Sequence, residues 1–292
     1  MTKLTQKMRA IQAAQAMPAD ACDCHVHIYD LGRFPLASTS TYGPPQASWD
    51  DYVAVQQRLG LDRAVLVQPT GYGFDNACLL AALDSAARMD KDMARGIAVI
   101  PSTVSRAQLS DLHAAGIRGV RFMMIPGSGG VLQWDDLEKM ADKIAEFGWL
   151  INAQLDGRDM AAYAARLGKL PCKLSIDHIG KFLEPVLTDH PGFRSLLDLL
   201  AAGNTWVKLS APYETSKIGA PRYEDVSLLA TALAAAHPTQ CLWSSNWPHP
   251  GRSPIPDDIA MRDLLSYWVP DEAQRKMILV DNPALLYGFG SR

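Results

Sequence analysis

The chain has 292 residues, 48% of them hydrophobic, with a net charge of −3 and a pI near 6.2. That balance gives no general attraction for nucleic acid or anionic membranes, and no run of about 18 apolar residues is present to span a bilayer. A chain of this size buries enough surface to need neither disulfides nor a structural metal.

Residues 1–20 read as an N-terminal extension. Lys3, Lys7 and Arg9 lie within it, but the apolar core of a signal peptide does not follow them. From residue 21 onward, short apolar runs alternate with longer amphipathic stretches. Strands are predicted over 21–27, 64–68, 95–100 and 119–123, each followed by a helix, over 49–58, 78–89, 104–115 and 134–147. The second half repeats the pattern with strands over 150–154, 173–177, 205–209 and 241–245, and helices over 160–167, 192–202, 223–237 and 261–268. The strands are short and rich in Val, Ile and Leu, as suits parallel strands buried on both faces. Gly116 and Gly203 fall where helices should end.

An unbroken β/α alternation without a Ser-, Pro- or Gly-rich linker predicts one (β/α)8 TIM barrel over 21–292. An open doubly wound sheet allows the same alternation, but it typically carries a Gly-rich phosphate loop after its first strand. Here the first strand ends in His25 and His27. The Gly-rich segment PGSGG at 126–130 follows the fourth strand and lacks a P-loop pattern, so it reads as a plain loop.

The five cysteines, Cys22, Cys24, Cys78, Cys172 and Cys241, are widely spaced except for one C-x-C. That spacing is not the C-x-x-C of redox or zinc sites. They imply reduced thiols in a cytoplasmic protein.

A barrel builds its active site at the C-terminal ends of its strands, and ionisable groups collect there. The first strand ends Asp23-Cys24-His25-Val26-His27, and residues two apart on a strand share a face. The sixth ends in DHIGK, with His178 and Lys181, and the eighth in SSNWPHP, with Asn246 and His249. Other ends supply Gln68, Thr70, Arg121, Gln154, Lys208 and Ser210. His113, His190 and His237 read as helix or loop surface residues.

Together, H-x-H after the first strand, DHIGK after the sixth and NWPHP after the eighth resemble the amidohydrolase superfamily. More narrowly, they resemble its branch of pyrone-dicarboxylate and sugar-acid lactonases. Supporting segments are TYGPP from Thr41, LVQPTGYGFDN from Leu66, GIRGVRF from Gly116 and DNPALLYG from Asp281. The resemblance implies a hydrolase acting on a small acidic lactone. His25, His27 and His178 would polarise the carbonyl, Arg121 and Lys181 would hold a substrate carboxylate, and Tyr42, Thr70, Gln154, Tyr213 and His249 would orient the rest. Metal-dependent members carry further ligands on the fourth, fifth and eighth strands. This chain offers Arg121, Gln154 and Asn246 there, so no cofactor is expected. Zinc held by His25, His27 and His178 is the alternative, and it would lack a carboxylate to offset its charge.

Asn246 stands where the lactonases have the aspartate that activates water, and an amide is not a base at neutral pH. Three readings stay open. Asn246 could be a substituted aspartate. Another group, His249 or one of the paired histidines, could serve as base. Or the reaction could be lactone isomerisation, because the second half of the chain is similar to galactaro-δ-lactone isomerase, in which a substrate hydroxyl attacks with high effective concentration. A non-catalytic barrel that binds sugar acids is the reading from outside the enzyme class.

Overall fold

The computed structural model describes residues 17–38, 40 and 42–290. Lys3, Lys7 and Arg9 of the extension and Thr41 of the TYGPP segment lie outside the described residues. The strands are β1 Cys22–Val26, β2 Arg63–Val67, β3 Ala94–Ala98, β4 Ile117–Met123, β5 Leu150–Gln154, β6 Lys173–Ile176, β7 Thr205–Leu209 and β8 Cys241–Trp243. They form one eight-stranded sheet in chain order, each paired in parallel with the next. The alternation is therefore a (β/α)8 barrel of one domain, and the open-sheet alternative is excluded.

The outer layer consists of α1 Trp49–Leu59, α2 Ala77–Met89, α3 Arg106–Ala114, α4 Leu137–Ala145, α5 Met160–Leu167, α6 Pro191–Ala201, α7 Glu224–Ala236 and α8 Asp258–Trp268. Differences from the predicted helices are set by the caps. Ser48 and Asp51 close a capping box at the start of α1, and Ser105 with Gln108 does the same for α3, which begins at Arg106 instead of 104. Asp257 caps α8 and starts it three residues earlier than its apolar period suggests. Gly116 (φ +98°) and Gly203 (φ +84°) do follow helix ends, in a conformation that a side chain would oppose. After α8 come α9 Glu272–Lys276 and α10 Asn282–Tyr287, which the β/α pattern did not predict. No helix among the described residues is long and apolar enough to cross a membrane.

Inside the barrel, Cys22, Cys24, Val65, Val67, Ile97, Leu150, Trp206 and Leu242 pack into one cluster with Leu286, Tyr287 and Phe289. The chain around α10 thus closes the floor. The opposite parity of each strand packs against the helices, in the main core with residues such as Leu66, Ala98, Phe122, Ile151, Ile176 and Val207.

On β1 the parity changes midway. Asp23 pairs with Ala64 while Val26 pairs with Leu66, so one extra residue sits in β1. Such a bulge reverses which face later residues show. Without it, the inward run Cys22–Cys24 would continue to Val26, and His25 and His27 would face the helices. Val26 instead joins the outer core.

The barrel closes between β8 and β1 around a buried carboxylate. Asp23 accepts hydrogen bonds from the backbone N–H of His25 (3.2 Å) and of Ser245 (2.9 Å), from the Ser245 hydroxyl, and from the hydroxyl of Tyr52 on α1 (3.2 Å). Backbone bonds from Asn246 N to His25 O (3.1 Å) and from His27 N to Trp247 O (2.8 Å) complete the seam. Asp23→Ala strands two buried backbone donors, each worth about 1–3 kcal/mol. Urea unfolding should therefore show a loss of about 2–6 kcal/mol, and an unchanged midpoint would show that the seam does not depend on this residue.

Candidate active site

The inward parity that is apolar at the floor turns polar toward the C-terminal end. It runs Leu150–Asn152–Gln154 on β5, Trp206–Lys208 on β7 and on to Ser210 just past it, and Leu242 on β8 and on to Ser244 and Asn246 beyond it, all buried. Beyond the strands the backbone turns sharply. His178, Ile179, Lys181, Ala211, Asn246 and His249 all have φ between +48° and +63°. Each such non-glycine residue costs of order 1–3 kcal/mol, and these follow β6, β7 and β8. Their positions are fixed by the surrounding packing, not by local preference.

At the centre lies Lys208, fully buried. Its ammonium donates to Asn152 Oδ1 and to His25 Nδ1 (3.1 Å), and it forms an ion pair with Asp177 Oδ1 at 3.0 Å. Asn152 Nδ2 donates to the other Asp177 oxygen (2.9 Å). Burial opposes ionisation of Asp177, but the Lys208 ammonium holds its carboxyl well below the usual range.

The tautomers follow from these partners. His27 Nδ1 lies 2.7 Å from Val67 O, which can only accept, so Nδ1 carries the proton and Nε2 of the neutral ring accepts. His25 Nε2, 3.1 Å away, must then donate to it, which leaves His25 Nδ1 free to accept from Lys208. Burial lowers the pKa of both rings and of His178, that of His27 to about 3, so all three are neutral near pH 7.

The three imidazoles therefore meet as expected, with ring centroids 4.7 Å (His25–His27) and 4.8 Å (His25–His178) apart, yet they are not equivalent. The N–H groups of His25 and His27 are both spent inside the chain. His178 bonds Ser210 Oγ through Nδ1 (2.9 Å), and its Nε2 makes no hydrogen bond among the described residues.

A cavity of about 220 Å³ opens above this layer. Its lining includes His27, His178, Asn246, Arg121, Gln154, Thr70 and Tyr42 of the predicted site, together with Tyr29 and Glu214. Arg121 is buried, gives 2.9 Å and 3.4 Å bonds to Gln68 O and Gln154 Oε1, and leaves Nε without a partner. It forms no salt bridge among the described residues.

The structure places His25, Lys181, Tyr213 and His249 behind the cavity wall. His249 Nε2 donates to Asp258 (2.8 Å), its Nδ1 accepts from the Tyr213 hydroxyl (2.7 Å), and the Tyr213 oxygen accepts from Asn246 Nδ2 (2.9 Å). Asn246 Nδ2 also donates to Glu214 Oε1 (3.2 Å). Two acceptors on one side fix the amide orientation and leave Oδ1 without a hydrogen bond among the described residues. Lys181 forms a salt bridge with the other Glu214 oxygen. Sequence reasoning missed Glu214, Asp177, Asn152 and Tyr29. Asp177 alone had a visible signal, being next to His178 at a strand end.

His25, Asp177 and His178 bring potential metal-ligand atoms within 4.8 Å of one another, a set that includes Asp177 and not the expected His27. Two of these residues, His25 and Asp177, also meet the buried Lys208 ammonium, whose charge, with that of Arg121, opposes a divalent cation at this place.

The family described as Amidohydrolase matches residues 22–289. D-Galactarolactone isomerase of Agrobacterium fabrum is 32% identical, with 98% of this chain and 97% of that protein covered. The 4-sulfomuconolactone hydrolase of Rhizobium radiobacter is 33% identical, with 97% and 94% covered. A 2-pyrone-4,6-dicarboxylate hydrolase of Comamonas testosteroni is 32% identical, with 93% and 91% covered.

The neutral histidines make stability depend on pH. An unfolded histidine titrates near 6.5 and folded His27 near 3. Between those values the unfolded chain binds a proton that the folded one refuses. The stabilisation is complete above 6.5 and is lost as pH falls, at about 1.4 kcal/mol per pH unit. Urea unfolding of wild type and His27→Gln from pH 7 to 4 should show wild type losing stability more steeply by that slope. Parallel curves would contradict the neutral assignment.

Proposed function

The chain belongs to the amidohydrolase family, and we propose that within it this barrel hydrolyses a small carboxylated lactone without a metal ion. Arg121 carries the reading. A buried guanidinium with no carboxylate partner among the described residues, on the wall of a small cavity, is complementary to an anionic substrate, and its fork suits a carboxylate held by two parallel bonds. His178 lines the same cavity with an uncommitted Nε2. With Ser210 donating to Nδ1, Nε2–H is directed at the lactone carbonyl, whose oxygen gains charge on attack. Such preorganised donors are worth about 3–4 kcal/mol when judged by removal. His25 and His27 support this layer through the Lys208 chain. Metal independence is favoured by the chemistry of the donor set, where Lys208 already balances Asp177. The five free, buried cysteines support a cytoplasmic setting.

Isomerisation is the second reading, and Asn246 favours it. The residue that would activate water is an amide, and a hydroxyl of the substrate itself needs less activation because it is held beside the carbonyl.

The test is turnover of D-galactarolactone, 4-sulfomuconolactone and 2-pyrone-4,6-dicarboxylate in the presence of EDTA. A pH indicator reports acid release, and proton NMR reports a change of ring size without it. Acid release insensitive to EDTA is expected. Activity that vanishes with EDTA and returns with zinc would defeat the metal-free part, and tight binding with no turnover would leave the barrel a binding protein. Arg121→Met should raise KM by about 10²-fold or more, the loss of a buried charge-assisted contact.

A further inference from the structure

We propose that Glu214 is the proton acceptor of this site, taking the part that Asn246 cannot play. The inference rests on the lactone reading above. Glu214 ends the short turn Pro212–Glu214 that follows β7, and it is the one carboxylate among the residues lining the cavity. One of its oxygens is held by Asn246 Nδ2 at 3.2 Å, the other by Lys181. Its side chain is 12% exposed, so it is largely screened from bulk water yet open to the cavity.

Asn246 thereby gains a role suited to an amide. Tyr213, itself bonded to His249 and through it to Asp258, fixes one side of the amide, so Nδ2 presents a hydrogen to Glu214 at the cavity wall. An attacking O–H group beside Asn246 then lies next to a carboxylate that can take its proton.

The step balances for either reaction. In hydrolysis, Glu214 takes a proton from water, the oxygen bonds to the lactone carbonyl carbon, and the charge passes to the carbonyl oxygen facing His178. The ring C–O bond then breaks, and the leaving alkoxide takes the proton back from Glu214. In isomerisation a substrate hydroxyl replaces water and the same proton returns to the departing ring oxygen. One carboxylate therefore serves both outcomes, and the choice between them falls to whichever hydroxyl the bound substrate presents.

The experiment compares wild type, Glu214→Gln and the double variant Glu214→Gln/Asn246→Asp on the same three lactones, with urea unfolding to confirm that each is folded. Glutamine keeps an oxygen for Lys181, so binding should persist. Glu214→Gln is expected to lower kcat by about 10²–10⁴-fold, the range of general-base assistance, with KM within about threefold of wild type. It should also abolish the acid limb of the kcat–pH profile. The double variant, with a carboxylate restored on β8's extension, should recover at least about tenfold of the loss relative to Glu214→Gln. Wild-type turnover with Glu214→Gln within about threefold of it in kcat, or with its acid limb intact, overturns the assignment while leaving the lactone reading standing. A wild type inert on all three lactones overturns both.

Discussion

The polar interior of this barrel depends on one ammonium group. Lys208, with no exposure to solvent, satisfies Asp177, Asn152 and His25 together. Removing it would leave a buried carboxylate without its counter-charge, a defect worth about 3–5 kcal/mol in other proteins. The same contact agrees with the tautomers that Val67 O sets, in which His25 accepts from Lys208 at Nδ1 and donates from Nε2 to His27.

Above that layer the mouth divides into an anion-seeking side and a proton-handling side. Arg121 defines the first, with backbone and amide contacts that orient it without neutralising it. Glu214, Asn246 and the chain from Tyr213 to Asp258 define the second. Strained backbone at His178, Ala211 and Asn246 connects the two, and that strain is tolerable only because helices and loops pack around it.

Much of this was legible from residue order. Strand and helix periodicity gave the barrel, because each of its elements is short, regular and bounded by caps or glycines. The rule that barrels work at their strand ends located His27, Arg121, Gln154, His178 and Asn246, all of which line the cavity. Three features were hidden. The bulge in β1 is a property of pairing with β2, and the H-x-H spacing looks the same with or without it. Glu214 follows β7 by a turn that carries no motif, and it reaches the site only because Ala211 bends the chain back. Lys208 was visible as a strand-end lysine, but its partnership with Asp177 and His25 joins residues from three strands. Periodicity reports which face a residue shows, not which neighbours it meets there.

The Asp23 clasp links groups 222 positions apart in the chain. During synthesis on a ribosome, β1 emerges long before the partner that completes its edge, and its unpaired backbone must wait for β8. Seams between such distant segments form slowly, and they leave a sticky sheet edge exposed in the interval. Recovery of soluble protein should therefore respond to translation rate and chaperone supply more strongly than the stability of the finished barrel would suggest.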